Sequence, residues 1–169
     1  MELKEALLRR RSIRKFTTEP VTPAQLDALL RAAMSGPSAC NRRPWAFYAV
    51  SRPEALAALR DATHFAKIDA PLAIVVCGDL ARALPGQMAP YWIQDCSAAT
   101  QNILLQATDL DLGAVWCGVH PQPRAEQLVA RALNLPEGHI PLNIIFIGRP
   151  AEEAEARTQY EEDFVHILN

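Results

Sequence analysis

The chain has 169 residues, half of them hydrophobic and 21% charged, with 17 Lys and Arg against 19 Asp and Glu for a net charge of −2. That length supports one domain with a real core, and that composition excludes a disordered chain. The slightly acidic total argues against a general nucleic-acid binder, which needs a basic domain. No run approaches the ~20 apolar residues of a membrane span, and the opening MELKEALLRRR is too polar for a secretory leader. Four cysteines, Cys40, Cys77, Cys96 and Cys117, lie far apart with no C-x-x-C spacing, and four histidines are scattered without H-E-x-x-H. A protein-held metal is therefore not expected. Cys77 and Cys117 sit in apolar runs and read as reduced core residues, which fits a soluble cytoplasmic chain.

In chain order, residues 2–11 read as a short helix with Leu3, Leu7 and Leu8 on one side and Arg9, Arg10 and Arg11 in its last turn. Cations favour a helix C-terminus, but Arg14 and Lys15 follow Ser12 and fall outside that explanation. A second helix starts at Thr22, with Pro23 at its first position and Gln25 completing a capping box. Leu26, Leu29, Leu30, Ala33 and Met34 form its apolar stripe, and Gly36 and Pro37 stop it. WAFYAV (45–50) reads as a strand, 53–66 as a helix opened by proline, and PLAIVVCGD as a buried strand. Residues 90–112 make the longest helical candidate, apolar around most of its circumference and so predicted to be buried in a core or an interface. LGAVWCGV is the next strand, Pro123–Asn134 an amphipathic helix, and LNIIFIGRP the last strand. The tail is acidic over 152–163 and ends in FVHILN, apolar enough to dock on something. The alternation of helices and strands by itself suggests α/β. Neither G-x-G-x-x-G nor G-x-x-x-x-G-K is present, so any bound phosphate must be held by side chains.

Three segments can carry chemistry. In RRSIRKF (10–16), Arg10, Arg11, Ser12 and Arg14 offer guanidinium forks and a hydroxyl, and in an extended segment residues 10, 12 and 14 share one side. A phosphate-type anion site stands there beside the alternative of a solvated basic turn. In SGPSACNRRPW (35–45), Ser38 and Asn41 can hydrogen-bond, Arg43 can approach carbonyl oxygens and Pro44 stiffens the backbone; the alternative is an ordinary loop. In WCGVHP (116–121), Gly118 lets backbone approach a ligand closely. Cys117 has no activating partner nearby in sequence and is not expected to be a nucleophile, while His120 reads as a turn residue.

Taken together, R-x-S-x-R-x-F, then P-S-x-x-N-x-x-P-W-x-F, then LGAVWCGV, IGRP and ARTQYEEDFVH make the chain resemble the nitroreductase family of flavin enzymes over essentially its whole length. The resemblance implies an α+β fold, one domain over 1–169, with a central, mainly antiparallel sheet flanked by helices. It also implies an intertwined homodimer with FMN at the interface, and 151–169 as an arm docking on the partner chain. By position, Arg10, Ser12 and Arg14 correspond to residues that hold the FMN phosphate, ribityl chain and pyrimidine edge, with Arg11 nearby. Pro37, Ser38 and Asn41 match the loop the partner lays beside the ring, and Arg43 stands where the family often has Gln. Cys117 and Gly118 match the stretch whose backbone amides face the reactive ring nitrogen, and Arg157 matches a basic residue at the phosphate. Glu155 departs from the pattern, standing where a Lys is common. The implied activity passes hydride from NADH or NADPH through FMN to a small electron-poor acceptor such as a nitroaromatic or quinone, in ping-pong fashion, with no nucleic acid and no membrane as partner. The alternatives are a non-enzymatic FMN-binding redox sensor and a specialised flavin reaction on the same scaffold. The segment between Arg60 and Tyr91 is short for the family, which implies a more open pocket or one closed by the partner.

Overall fold

The structure is a computed structural model that describes residues 1–168. Its centre is a four-stranded sheet of β1 (Trp45–Val50), β2 (Leu72–Asp79), β3 (Gly113–Gly118) and β4 (His139–Gly148), in the spatial order β1-β2-β4-β3. Every neighbouring pair is antiparallel. This corrects the parallel α/β arrangement suggested by alternation and matches the α+β expectation. Period and order of elements do not encode strand direction. Residues 63–71, between α3 (Pro53–Ala62) and β2, return the chain so that β2 runs against β1.

Helices cover both faces. On one face, Leu29 and Ala33 of α2 (Pro23–Met34) and Cys96, Ala99 and Ile103 of α4 (Tyr91–Asp109) pack on Ile74, Val76 and Ile145. On the other, Leu56 and Leu59 of α3 and Ala125 and Val129 of α5 (Pro123–Leu133) pack on Val75, Ile144 and Phe146. Successive residues of β2 and β4 thus enter opposite cores, as a period of two requires, which is why both strands read as unbroken apolar runs. The capping box at Thr22 forms as expected: the hydroxyl accepts from Gln25 N–H at 3.2 Å and the Gln25 side chain accepts from Thr22 N–H at 2.9 Å.

The N-terminal helix is shorter than expected. α1 runs only from Leu3 to Arg9, and Ala6, not the leucine side, is its buried residue; Leu3 and Leu7 are exposed. Arg10 is its C-cap, so Arg10 and Arg11 leave the helix and the chain goes on extended. The last strand begins at His139, three residues earlier than LNIIFIGRP predicts. Among the described residues no helix is long and apolar enough to cross a membrane, and no cluster of three His, Cys, Asp or Glu could hold a metal ion.

Candidate functional site

β3 is an edge strand, and its ladder with β4 decides what the edge presents. Val119 N–H donates to Leu142 C=O at 3.0 Å, continuing the β3–β4 register of Cys117 on Ile144 and Gly118 on Asn143. In an antiparallel ladder the residues alternate between bonding the neighbour and facing away. Gly118, Trp116 and Ala114 therefore turn their backbone N–H and C=O off the free edge. Ala114 confirms the parity, because its outward C=O accepts Ile13 N–H at 3.1 Å.

That bond docks the 10–16 segment on the free edge of β3. Ser12 forms a parallel bridge with Ala114, and Phe16 an antiparallel bridge with Pro150. Inside this segment side chains alternate. Ile13 is buried against Gly113, where an added Cβ would clash with it. Arg11 and Ile13 line a cleft of about 320 Å³ with Arg9, Asp111, Glu152 and Glu153, whereas Arg10, Ser12 and Arg14 do not line it. Glu152 fixes the segment's far end: its carboxylate accepts Arg14 N–H at 2.6 Å and Lys15 N–H at 3.2 Å. Those two bonds, Arg14's first, hold the Glu152 carboxyl below its ordinary range.

Arg9 pairs with Glu5 at 3.2 Å and Asp111 at 3.8 Å, so it belongs to the helix end. Among the described residues Arg10, Arg11 and Arg14 have no ion-pair partner. The Arg11 guanidinium donates to the Glu155 carbonyl. Arg157 N–H donates to Leu8 C=O at 3.1 Å, returning the tail to the C-terminal end of α1 beside Arg10. Gly118 adds a void: a Cβ built there meets nothing within 4 Å.

The 35–44 loop has a built geometry of its own. Cys40, Asn41 and Arg43 hold φ of +50°, +52° and +49°, a left-handed conformation that non-glycine residues seldom adopt. Ser38 Oγ accepts Arg43 N–H at 2.9 Å, and Arg42 reaches across to the Arg82 and Ala83 carbonyls at 2.9 and 3.3 Å. Ala39 N–H donates to the Asp95 carboxylate of α4 at 2.9 Å. Pro37, Asn41 and Arg43 are exposed and Ser38 is half-buried.

The loop leads into β1, and β1 and β3 are opposite edges of the sheet. Three strand spacings of about 4.8 Å separate those edges by ~14 Å. One chain therefore gathers the expected site residues into two groups: Arg10, Ser12, Arg14, Cys117, Gly118 and Arg157 at one edge, and Pro37, Ser38, Asn41 and Arg43 at the other.

The buried cysteines, Cys77, Cys96 and Cys117, supply no nucleophile. Burial pushes the Cys96 thiol up to about 12 and that of Cys117 to about 11, the latter partly opposed by the Arg14 charge. Burial also drives Cys77 upward. The Cys117 thiol donates to the Phe65 carbonyl at 3.2 Å. His120 sits in the turn after β3, its Nδ1 2.8 Å from Glu126 Oε1 and its ring edge-on to Trp92 at 5.0 Å.

The profile of the Nitroreductase family matches residues 7–66 and 60–149, most of the chain. This chain belongs to the nitroreductase family. A protein of Methanothermobacter thermautotrophicus with a provisional NADH dehydrogenase/NAD(P)H nitroreductase name is 41% identical over 99% of this chain and 87% of its own length. The oxygen-insensitive NADPH nitroreductase of Salmonella typhimurium is 30% identical over 95% of this chain and 71% of its own. Among solved structures, a provisionally named nitroreductase of Parabacteroides distasonis superposes with a TM-score of 0.92 at 37% identity, covering 99% of this chain and 98% of that one. An FMN-dependent nitroreductase of Clostridium difficile does so at 0.89 and 32%, covering 98% and 99%.

Beside that nitroreductase pattern, sequence reasoning missed three residues that shape the site: Glu152, Asp95 and Arg42. Asp95 left a trace, being an acid on a helix apolar nearly all round. Glu152 and Arg42 left none, because each lies in a charged run and acts on distant backbone.

Proposed function

We propose that this nitroreductase-family chain is an NAD(P)H-dependent FMN oxidoreductase. It works as a homodimer, with each flavin held between the β3 edge of one copy and the 37–43 loop of the other. The end of β3 carries this reading: at Gly118 an outward N–H and open space lie on the same sheet edge as Arg10, Ser12 and Arg14. That donor set suits FMN. Two unneutralised guanidiniums match a phosphate and an electron-rich ring edge, and a hydroxyl matches a polyol chain. The names of the Clostridium difficile, Salmonella typhimurium and Methanothermobacter thermautotrophicus relatives support FMN and a nicotinamide cosubstrate, NADH or NADPH.

FMN supplies hydride transfer when bound. The chain's own residues bind and orient. Arg10 and Arg157 hold the phosphate, and Ser12 the ribityl chain. Arg14, and Arg43 of the second copy, face the pyrimidine edge, where a cation stabilises negative charge. Gly118 N–H donates to the reactive ring nitrogen. Pro37, Ser38 and Asn41 close the other side. The buried Cys117 thiol takes no part, and no side-chain acid or base is required. Nicotinamide and acceptor would use the same open side of the site in turn, which would give ping-pong kinetics, with a small electron-poor molecule such as a nitroaromatic or quinone as the acceptor.

The placing of the two residue groups on opposite edges of the sheet supports a second copy. The tail supports it: Tyr160, Phe164, Val165, Ile167 and Leu168 are all exposed on their own chain, an apolar arm without a partner. The free, unpaired cysteines fit a reducing, cytoplasmic setting.

The purified protein should be yellow, and NADH or NADPH should bleach it without oxygen; a nitroaromatic or quinone should then restore the colour. A protein that never takes up FMN would sink the reading. A yellow protein inert to both nicotinamides would favour the redox-sensor alternative.

A further inference from the structure

Among the described residues Asp95 is the one buried side chain of the Asp, Glu, Lys, Arg and His types, at 6% exposure. It lies in the N-terminal half of α4, and no Lys, Arg or His pairs with it among those residues. Its hydrogen bond is to Ala39 N–H, at 2.9 Å. A buried carboxylate without a cation costs stability, so its presence calls for a role beyond holding the core.

The loop it grips supplies one. Ala39 stands directly before Cys40 and Asn41, the first two residues of the left-handed run. Such strain persists only where the surroundings over-determine it. Here Asp95 holds the loop from the α4 side, Arg42 holds it from the Arg82 and Ala83 carbonyls, and the Ser38 hydroxyl closes it on Arg43 N–H. Asn41 N–H and Arg42 N–H complete the turn on the Ser38 and Ala39 carbonyls at 2.9 and 3.0 Å. Ser38 and Asn41, the loop's polar groups for the ring, are separated by the residue Asp95 pins and by Cys40.

We propose that Asp95 is a positioning residue for cofactor binding: its carboxylate, through Ala39 N–H, sets the left-handed loop that presents Ser38 and Asn41 to the flavin of the partner copy. The proposal rests on the FMN reading above. Asp95 touches no substrate. It acts through the loop, at a cost to the stability of the fold.

The test compares Asp95→Ala and Asp95→Asn with the wild-type protein. In flavin-free protein, Ala39 amide exchange should be clearly faster in Asp95→Ala and near wild type in Asp95→Asn, whose amide oxygen still accepts. Asp95→Ala should bind FMN about tenfold or more weakly, the loss of one charge-assisted bond, and Asp95→Asn should recover most of that. The melting temperature of flavin-free Asp95→Ala should equal or exceed that of wild type. Unchanged Ala39 exchange with FMN affinity within about twofold of wild type overturns the proposal. So does an Asp95→Ala protein that fails to fold, because a carboxylate that only shapes the loop is dispensable for folding. A wild-type protein that never binds FMN sinks the parent reading instead, and the Ala39 exchange comparison still reports whether Asp95 grips the loop.

Discussion

At Gly118 a missing side chain does two things: it opens space at the end of β3 and leaves an outward N–H accessible. Gly78 is the contrast, since a Cβ there would run into the Trp92 indole, so that glycine serves helix packing. Gly118→Ala should therefore leave the melting temperature nearly unchanged, because the added methyl meets no atom of its own chain. The same change should weaken FMN binding by about tenfold or more, because the methyl enters the space proposed above for the ring. Equilibrium titration with FMN and a thermal melt of the flavin-free protein check both halves. Loss of fold without loss of affinity would make the position structural. Cys117, one residue earlier, reads the other way. Its thiol is buried, bonded to a carbonyl and pushed up to about 11, so a reactive-looking residue beside the site is inert.

The element of most consequence is the extended 10–16 segment, which is neither helix nor full strand. Bridges from Ser12 to Ala114 and from Phe16 to Pro150, with the Glu152 carboxylate, hold it, and the alternation of an extended chain then places Arg10, Ser12 and Arg14 on the side away from Arg11 and Ile13. Glu152 makes this arrangement pH-dependent. Its carboxyl is held below the ordinary value of 4.5, so it stabilises the segment above that pH. The contribution is lost as pH falls through the lower folded-state value. Other carboxylates titrate in the same range, so the informative quantity is the difference between wild type and Glu152→Ala, which removes the acceptor. FMN affinity of the variant should already be reduced at pH 7, and the two curves should converge on acidification below about 4.5. Parallel curves down to pH 3 would show that the Glu152 bonds do not govern the segment.

On the scale of the whole molecule, the sheet order separates the two residue groups and the tail lies unpacked. Both features support the second copy proposed above. Deleting residues 159–169 should leave a folded core, because side chains 159–168 are exposed on their own chain. Dimerisation should weaken by about a hundredfold or more, since each large apolar side chain buried at an interface contributes ~1.5–3 kcal/mol. FMN binding should fall with it even though Arg10, Ser12, Arg14 and Arg157 remain. Sedimentation and FMN titration at matched concentrations check this; a truncated chain that stays dimeric and yellow would place the interface elsewhere.

The sequence alone determined what local chemistry encodes. The capping box at Thr22, the stop after Met34, the buried strands of β2 and β4 and the amphipathic α5 all follow from residue type and period, and all form. The Arg-Ser-Arg segment and Gly118 stood out as candidates by side-chain type and short spacing, and the fold sets both along the β3 edge. Residue type and period left strand direction open, and the nitroreductase resemblance supplied it; only the tertiary structure decided the order β1-β2-β4-β3 and which way the β3 backbone faces. It also decided that α1 packs through Ala6 rather than its leucines, and that Glu152 and Asp95 reach across the chain to hold backbone of the 10–16 segment and the 35–44 loop. The physical reason is range. Caps and periods arise within one or two turns of chain, whereas parity at a sheet edge and bonds between residues 56 or 138 positions apart exist only once the chain has closed on itself.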